Sequence, residues 1–163
     1  SRTLASVTRV LSVLTIAHPN PEILFDEHSF AQVTHILRNY FANNGPLEAL
    51  HEAILLYGLL ARRIPSVRES CLWLPSPRVL SLLCDMKVAY LTQKKQSVVL
   101  IPTLIALCMD NETNVQFVLD KINGLWIYTF LDQMTEQGDI FSPHLRIDFS
   151  RREELKKLFS SHN

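Results

Sequence analysis

"LIPTLIALCMDNETNVQFVLDKINGLWIYTFLDQM", residues 100–134, decides the fold. Two apolar runs, Leu100 to Met109 and Leu125 to Met134, flank a polar stretch bounded by a break on each side. Asn111 stands in the N-cap position ahead of "ETNVQFVLDK", because a short side-chain oxygen there can accept one of the N–H groups left free in a first helical turn. Asn123-Gly124 reads as the left-handed stop of that helix. Apolar residues recur at helical spacing, and no stretch alternates with period two for long enough to make a strand. The expected fold class is all-α. The longest nearly apolar run, "SVVLIPTLIALCM", holds 13 residues and is broken by Pro102, whereas a membrane span needs roughly 20; no transmembrane helix is expected.

Working outward, the first helix is expected from about Thr3 to His18, with Leu4, Val7, Leu11, Leu14 and Ala17 on its inward stripe and Pro19 as the stop. A short helix is expected in "PEILFDE" from Pro21. Another runs from about Ser29 to Phe41, burying Phe30, Val33, Leu37 and Tyr40, and ends before the Asn43-Asn44-Gly45 turn. Pro46 opens the next, where a missing N–H does no harm; it reaches about Arg63 with Leu50, Ile54, Tyr57 and Ala61 inward. A short helix from Ser66 to about Leu72 precedes "LPSPRVLSLLCDMKVAYL", in which Ser76 caps and Pro77 takes the first position. Gln96 to Met109 is the next apolar helix, kinked or divided at Pro102, and Leu125 to Gln137 is the last strong one. Gly138 to Phe149 reads as a loop, and Ser150-Arg151-Arg152-Glu153 as a capping box opening a tail helix with Leu155, Leu158 and Phe159 on its apolar side.

One pattern recurs three times: apolar helix, polar or Pro-containing break, short helix, break, second apolar helix. The passages are "VLSVLTIAHPNPEILFDEHSFAQVTHILRNYF", "AILLYGLLARRIPSVRESCLWLPSPRVLSLLCDM" and "LIPTLIALCMDNETNVQFVLDKINGLWIYTFLDQM". Ala17 precedes Ala61 by 44 residues and Ala61 precedes Cys108 by 47, near the period of about 40 to 47 of armadillo and HEAT units. With Asp110-Asn111-Glu112-Thr113-Asn114-Val115 at the break and Gly124-Leu125 opening the following helix, the chain resembles the armadillo-repeat family over roughly Thr3 to Gln137. The resemblance implies a short right-handed α-solenoid of about three armadillo/HEAT-like units in residues 1–137. Residues 138–163 then form a loop and an amphipathic C-terminal capping helix, packing as cap or partner tail. One unit cannot cover its own apolar face, whereas stacked units share a continuous core.

Composition bounds what such a chain binds. There are 163 residues, 16 Lys+Arg against 16 Asp+Glu, 47% hydrophobic residues and 4 Gly. With a net charge of +0 the chain has no excess cations to displace the counterions of a polyanion, which argues against a nucleic-acid partner. The rival reading, a nucleic-acid-binding helical repeat, would use Arg62, Arg63, Arg68, Lys94 and Lys95. Cys71, Cys84 and Cys108, an odd number set among apolar residues, read as buried thiols of an intracellular protein, cytoplasmic or nuclear. The opening Ser1 suggests a fragment of a longer protein. His51-Glu52 begins a zinc-protease pattern, but Leu55 occupies the second ligand position. No Cys/His zinc spacing and no phosphate-cradling glycine loop occurs, so no metal, cofactor or catalytic group is expected; an enzyme on an unrecognised helical fold is the remaining alternative.

The expected function is therefore a protein–protein interaction scaffold. By the resemblance, partners lie along the helices Thr3–His18, Pro46–Arg63 and Gln96–Met109. Family members that grip extended peptides do so with a Trp and an Asn four residues later. Here the Trp positions hold Leu11, Leu55 and Pro102 and the Asn positions Thr15, Leu59 and Ala106, so that ladder is missing. An apolar surface of Thr15, Glu52, Leu55, Leu59, Arg62, Arg63, Ala106 and Met109 suits a partner helix or a second copy of the chain instead. Trp126 and Phe130 make a second candidate patch, since exposed aromatics anchor interfaces.

Overall fold

The computed structural model describes residues 2–20, 27–73, 76–135 and 146–160. Among the described residues the chain is helical throughout, with no strand. The helices are α1 (Arg2–Ala17), α2 (Glu27–Asn43), α3 (Leu47–Arg63), α4 (Pro65–Ser70), α5 (Val79–Cys84) and α6 (Ala89–Thr92). They continue as α7 (Lys94–Cys108), α8 (Glu112–Lys121), α9 (Gly124–Gln133) and, after a 3-10 turn over Phe149–Arg151, α10 (Arg152–Ser160). The short helix expected from Pro21, the side chains of Phe30 and Val33, and the loop expected from Gly138 up to position 145 lie outside the described residues.

The long helices pack in chain order. α3 lies between α1 and α7, while α2 meets α5 and α5 meets α8 on a second row. α1 and α3 run parallel: Arg9 reaches Glu48 and Glu52 near the start of α3, at 3.3 and 2.8 Å, and Arg63 at its end donates to the Thr15 and His18 carbonyls, both at 2.8 Å. One core runs from Leu37 through α3, α5 and α7 to Phe159.

The breaks between long helices are closed by side chains reaching back to helix C-termini, whose last carbonyls lack intrahelical partners. The Arg68 guanidinium donates to the Ala61 carbonyl at 2.7 Å, and the Asn114 amide donates to the Leu107 carbonyl at 2.7 Å. Both reaches span seven residues. The Asn114 amide also donates to the Arg68 carbonyl, 46 residues earlier, at 2.7 Å, tying the two breaks together.

Several breaks differ from their expected chemistry. Asn111 caps α8 as expected, accepting from the Asn114 N–H at 3.0 Å. Asn123-Gly124, however, is no left-handed stop, for no described glycine has positive φ. Asn123 instead caps the following helix, accepting from the Leu125 N–H at 2.9 Å. Gly124 serves close packing, since a Cβ there would lie 2.7 Å from the Phe159 carbonyl oxygen. Among the described residues the left-handed positions are Asn44 and Asp110. The helix expected to start at Ser76-Pro77 starts at Val79, because the Pro77 carbonyl is turned out to accept from Arg38 Nε at 3.0 Å. Helix α10 is entered from Asp148 rather than from a Ser150 box: the Asp148 carboxylate accepts from both the N–H and the hydroxyl of Ser150.

The C-terminal segment packs against α7 and α9. Pro102 sits inside α7 and has no N–H for the Val98 carbonyl four residues earlier. Arg146 fills that gap, donating to the Val98 and Val99 carbonyls at 2.5 and 2.6 Å and to the Thr103 hydroxyl at 2.8 Å. It is seated over Gly58, where a Cβ would lie 2.5 Å from Arg146 Cδ and 2.4 Å from Thr103 Oγ1. Leu155 and Phe159 of α10 are buried against the core, and Arg152 donates to the Leu131 and Asp132 carbonyls at the end of α9.

Candidate functional site

Helix α1 is built with two dissimilar faces. Towards α3 it presents Ala5, Thr8, Ser12 and Thr15, all buried. Their hydroxyls are satisfied within the helix, Thr8 donating to Leu4, Ser12 to Thr8 and Thr15 to Leu11 carbonyls at 2.8, 3.0 and 2.8 Å. A hydroxyl that bonds its own preceding turn offsets most of the cost of its burial, and its small side chain admits a close neighbour. The inward stripe is therefore not the one expected: Val7 and Leu14 point the other way.

On that other face Val7, Val10, Val13 and Leu14 are 49, 57, 51 and 46% exposed. With Thr3 and Ala17, also exposed, they form an uncharged apolar face over which no described residue packs. Scattered exposed aliphatics need no explanation, but four at helical spacing on one face are a patch. On the neighbouring helix Leu56 and Leu59, on the side of α3 that bears Glu52 and Arg63 towards α1, are 1 and 4% exposed.

The residues expected at the site divide sharply. Thr15, Leu59, Ala106 and Met109 are buried and belong to the core, so they line no open surface. The reason is that α3 and α7 are covered on several sides and are apolar nearly all round, so a helical wheel cannot separate an exposed apolar face from a buried one. Leu55 is half-buried, and Glu52 is turned into the α1–α3 junction by Arg9. Arg62 and Arg63 are half-buried; the Arg63 guanidinium is spent on α1 carbonyls and the Arg68 guanidinium on α3 carbonyls. These two are thus engaged away from any phosphate, while Lys94 and Lys95 are exposed. Trp126 is exposed, but Phe130 packs against the core, and the exposed neighbour of Trp126 is Leu125. The face of Val10 and Val13 was missed because Val7 and Leu14 look like inward residues; the hydroxyl row Thr8, Ser12, Thr15 was the signal available.

The remaining groups offer little chemistry. All three thiols are free and buried, and burial pushes Cys71 and Cys84 up to about 12 and Cys108 well above the usual thiol range, so none is an activated thiolate. His51 Nε2 lies 2.7 Å from the Tyr90 hydroxyl, and partial burial lowers its pKa. No group of three His, Cys, Asp or Glu among the described residues is arranged to hold a metal ion. No described helix is long and apolar enough to cross a membrane. A cleft of about 360 Å³ between α9 and α10 is lined by Leu125, Tyr128, Lys156 and Phe159, and its Lys156 is paired with Asp132 at 2.8 Å. Comparison with known proteins finds no matching family model, no matching curated protein and no matching solved structure.

Proposed function

We propose that the protein is an interaction scaffold of armadillo-like stacked units that docks a helix of a partner protein on the outer face of α1. The observation that carries this reading is a contrast between neighbouring helices: Val10 and Val13 are open to solvent, while Leu56 and Leu59 on the side of α3 towards α1 are buried. The recurring seven-residue reach of Arg68 and Asn114 supports repeat stacking, and so does the α1–α3–α7 row. A surface lacking charge and closed by apolar contact favours a protein helix over a polyanion.

The test is a selection of displayed helical peptides against the intact protein, repeated on Val10→Glu. Selected binders are expected to lose at least tenfold in affinity on Val10→Glu while the thermal transition stays within about 2 °C of wild type, as for an exposed position. Binders that hold Val10→Glu as tightly as wild type would move the site elsewhere. Leu59→Glu is unsuited to this purpose, because it would bury a charge and break the fold.

A further inference from the structure

Two Asn-Gly pairs occur in the chain, Asn44-Gly45 and Asn123-Gly124, identical in covalent chemistry. Asparagine is thermolabile, and most so before glycine, which has no side chain to shield its main-chain nitrogen from the neighbouring amide or to restrain the peptide plane between them. Attack of that nitrogen on the side-chain amide needs water at the pair, an amide side chain free to swing and a peptide plane free to turn. The fold withholds these at one pair and supplies them at the other. At the first turn of α9 the Asn123 side chain accepts from the Leu125 N–H at 2.9 Å, and its main-chain carbonyl accepts from the Trp126 N–H at 3.1 Å. Gly124 is buried, and a Cβ there would lie 2.7 Å from the Phe159 carbonyl oxygen and 2.8 Å from Leu119 Cδ2. Both the side chain and the plane are held. Asn44, by contrast, is exposed just past the end of α2, with φ of 47° and a side chain that no described residue engages. Gly45 is half-exposed, and its N–H makes only a long bond of 3.4 Å to the Tyr40 carbonyl, of the kind that closes a left-handed C-cap.

We propose that Asn44 is a site of spontaneous deamidation through a cyclic imide with Gly45, and that the fold protects Asn123 from the same reaction. The Gly45 N–H gives its proton to a solvent base, and the nitrogen bonds to Asn44 Cγ. The Cγ–Nδ2 bond then breaks, and the amide leaves as ammonia with a proton taken from water. Water opens the imide at either carbonyl: breaking the new bond to Cγ leaves aspartate, and breaking the original main-chain bond leaves isoaspartate. Nothing is oxidised or reduced, and water is the co-reactant. Isoaspartate adds a main-chain carbon where Gly45 already lies against the Tyr40 ring, since a Cβ on Gly45 would come 2.3 Å from Tyr40 Cδ1. Both products set a carboxylate just past the C-terminus of α2, where the helix dipole disfavours it. The reaction thus acts on the turn that joins α2 to α3.

The test is incubation of the full chain under native conditions at neutral pH and physiological temperature, with peptide mapping by mass spectrometry at intervals. A parallel sample in guanidinium chloride holds the chain unfolded, so the two pairs serve as each other's control and no variant has to fold. In the native chain Asn44 is expected to convert to aspartate and isoaspartate at least tenfold faster than Asn123. In the unfolded chain the two rates are expected to draw together, because Asn123 is released from its cap. Native conversion of Asn123 as fast as that of Asn44 would overturn the assignment. So would a native Asn44 that stays unchanged while the unfolded chain reacts at both pairs. A tenfold preference that persists in the unfolded chain would place its cause in the flanking sequence and overturn the protective role of the α9 cap.

Discussion

The two ends of the helical row are finished in opposite ways. At the C-terminal end every device available to a chain is used: Arg146 fills the gap left by Pro102, Arg152 covers the last carbonyls of α9, and Leu155 and Phe159 insert into the core. Arg151 clasps Asp110 through two bonds of 2.7 and 3.0 Å, which holds that carboxyl below its usual range. At the N-terminal end α1 turns an aliphatic face to solvent with no equivalent cover among the described residues. A stack must either spend its own residues on a cap or leave a surface that another helix can extend. The difference teaches that apolar residues are covered by the chain's own described residues at one end and exposed at the other.

The sharpest way to break this contrast is to truncate an apolar side chain at each end. Phe159→Ala is expected to cost about 3–5 kcal/mol, since it deletes a fully packed aromatic from the main core. Urea or thermal unfolding measures it, and a loss below about 1 kcal/mol would show that α10 is not a structural cap.

Arg146→Met comes next. It leaves the Val98 and Val99 carbonyls and the Thr103 hydroxyl without their donor, but it also removes a buried cation that pairs with no carboxylate among the described residues and whose Nε has no partner. Burial pushes this guanidinium down to about 9, which still leaves it charged at neutral pH. Stranded acceptors cost about 1–3 kcal/mol each, and relief of the buried charge offsets part of this, so a net loss of about 2 kcal/mol is expected. Adding Pro102→Ala restores an N–H to Val98 and should recover part of that loss; additivity of the two changes in a double-mutant cycle would deny the coupling.

Between the ends, the α3–α6 junction responds to pH through His51. Burial lowers its folded pKa below the unfolded 6.5, so the unfolded chain takes up the proton first as pH falls. The junction's contribution is present above about pH 6.5 and is lost as pH falls towards the folded pKa. Stability is therefore expected to decline from pH 7.5 to 5.5, and His51→Phe should flatten that slope. The lowered carboxylates Asp110, Asp132, Asp148 and Glu154 act at more acid pH, outside this window. An unchanged slope in His51→Phe would remove the assignment.

The smallest effect belongs to the open end: Val10→Gln should change stability by no more than about 0.5 kcal/mol. A loss approaching that of Phe159→Ala would mean that α1 is covered after all, and the two ends would no longer differ.

Much of the helical order was legible from residues alone. Spacing of apolar positions placed the long helices to within a few residues, and Asn111 declared its cap through its chemistry. Faces were less legible. In α7 every residue from Leu100 to Cys108 is buried, because α3, α6, α8 and α9 all pack around it; no single stripe marks one side. In α1 the hydroxyl residues are inside and the valines outside, an inversion that follows from bonds of each hydroxyl to its own helix, which composition does not display. Side chains that act over long separations were invisible for a different reason. Nothing local to Arg146, Arg63 or Asn114 announces a carbonyl 45 to 48 residues away.

The Arg146 plug has a consequence in time. The Val98 carbonyl, left without an N–H by Pro102, waits for a donor that lies 48 residues further along the chain. During synthesis the first half of α7 therefore emerges before the group that completes it, and a loop of that length must close before the helix gains its full hydrogen bonding. Folding of the row is thus expected to finish from its last segment: α1 and α3, whose contacts close loops of similar length, emerge first and can pair before residue 146 is made, while amide exchange protection around Pro102 should arrive only with residue 146. A nascent chain halted short of that arginine would carry α7 as its least protected long helix.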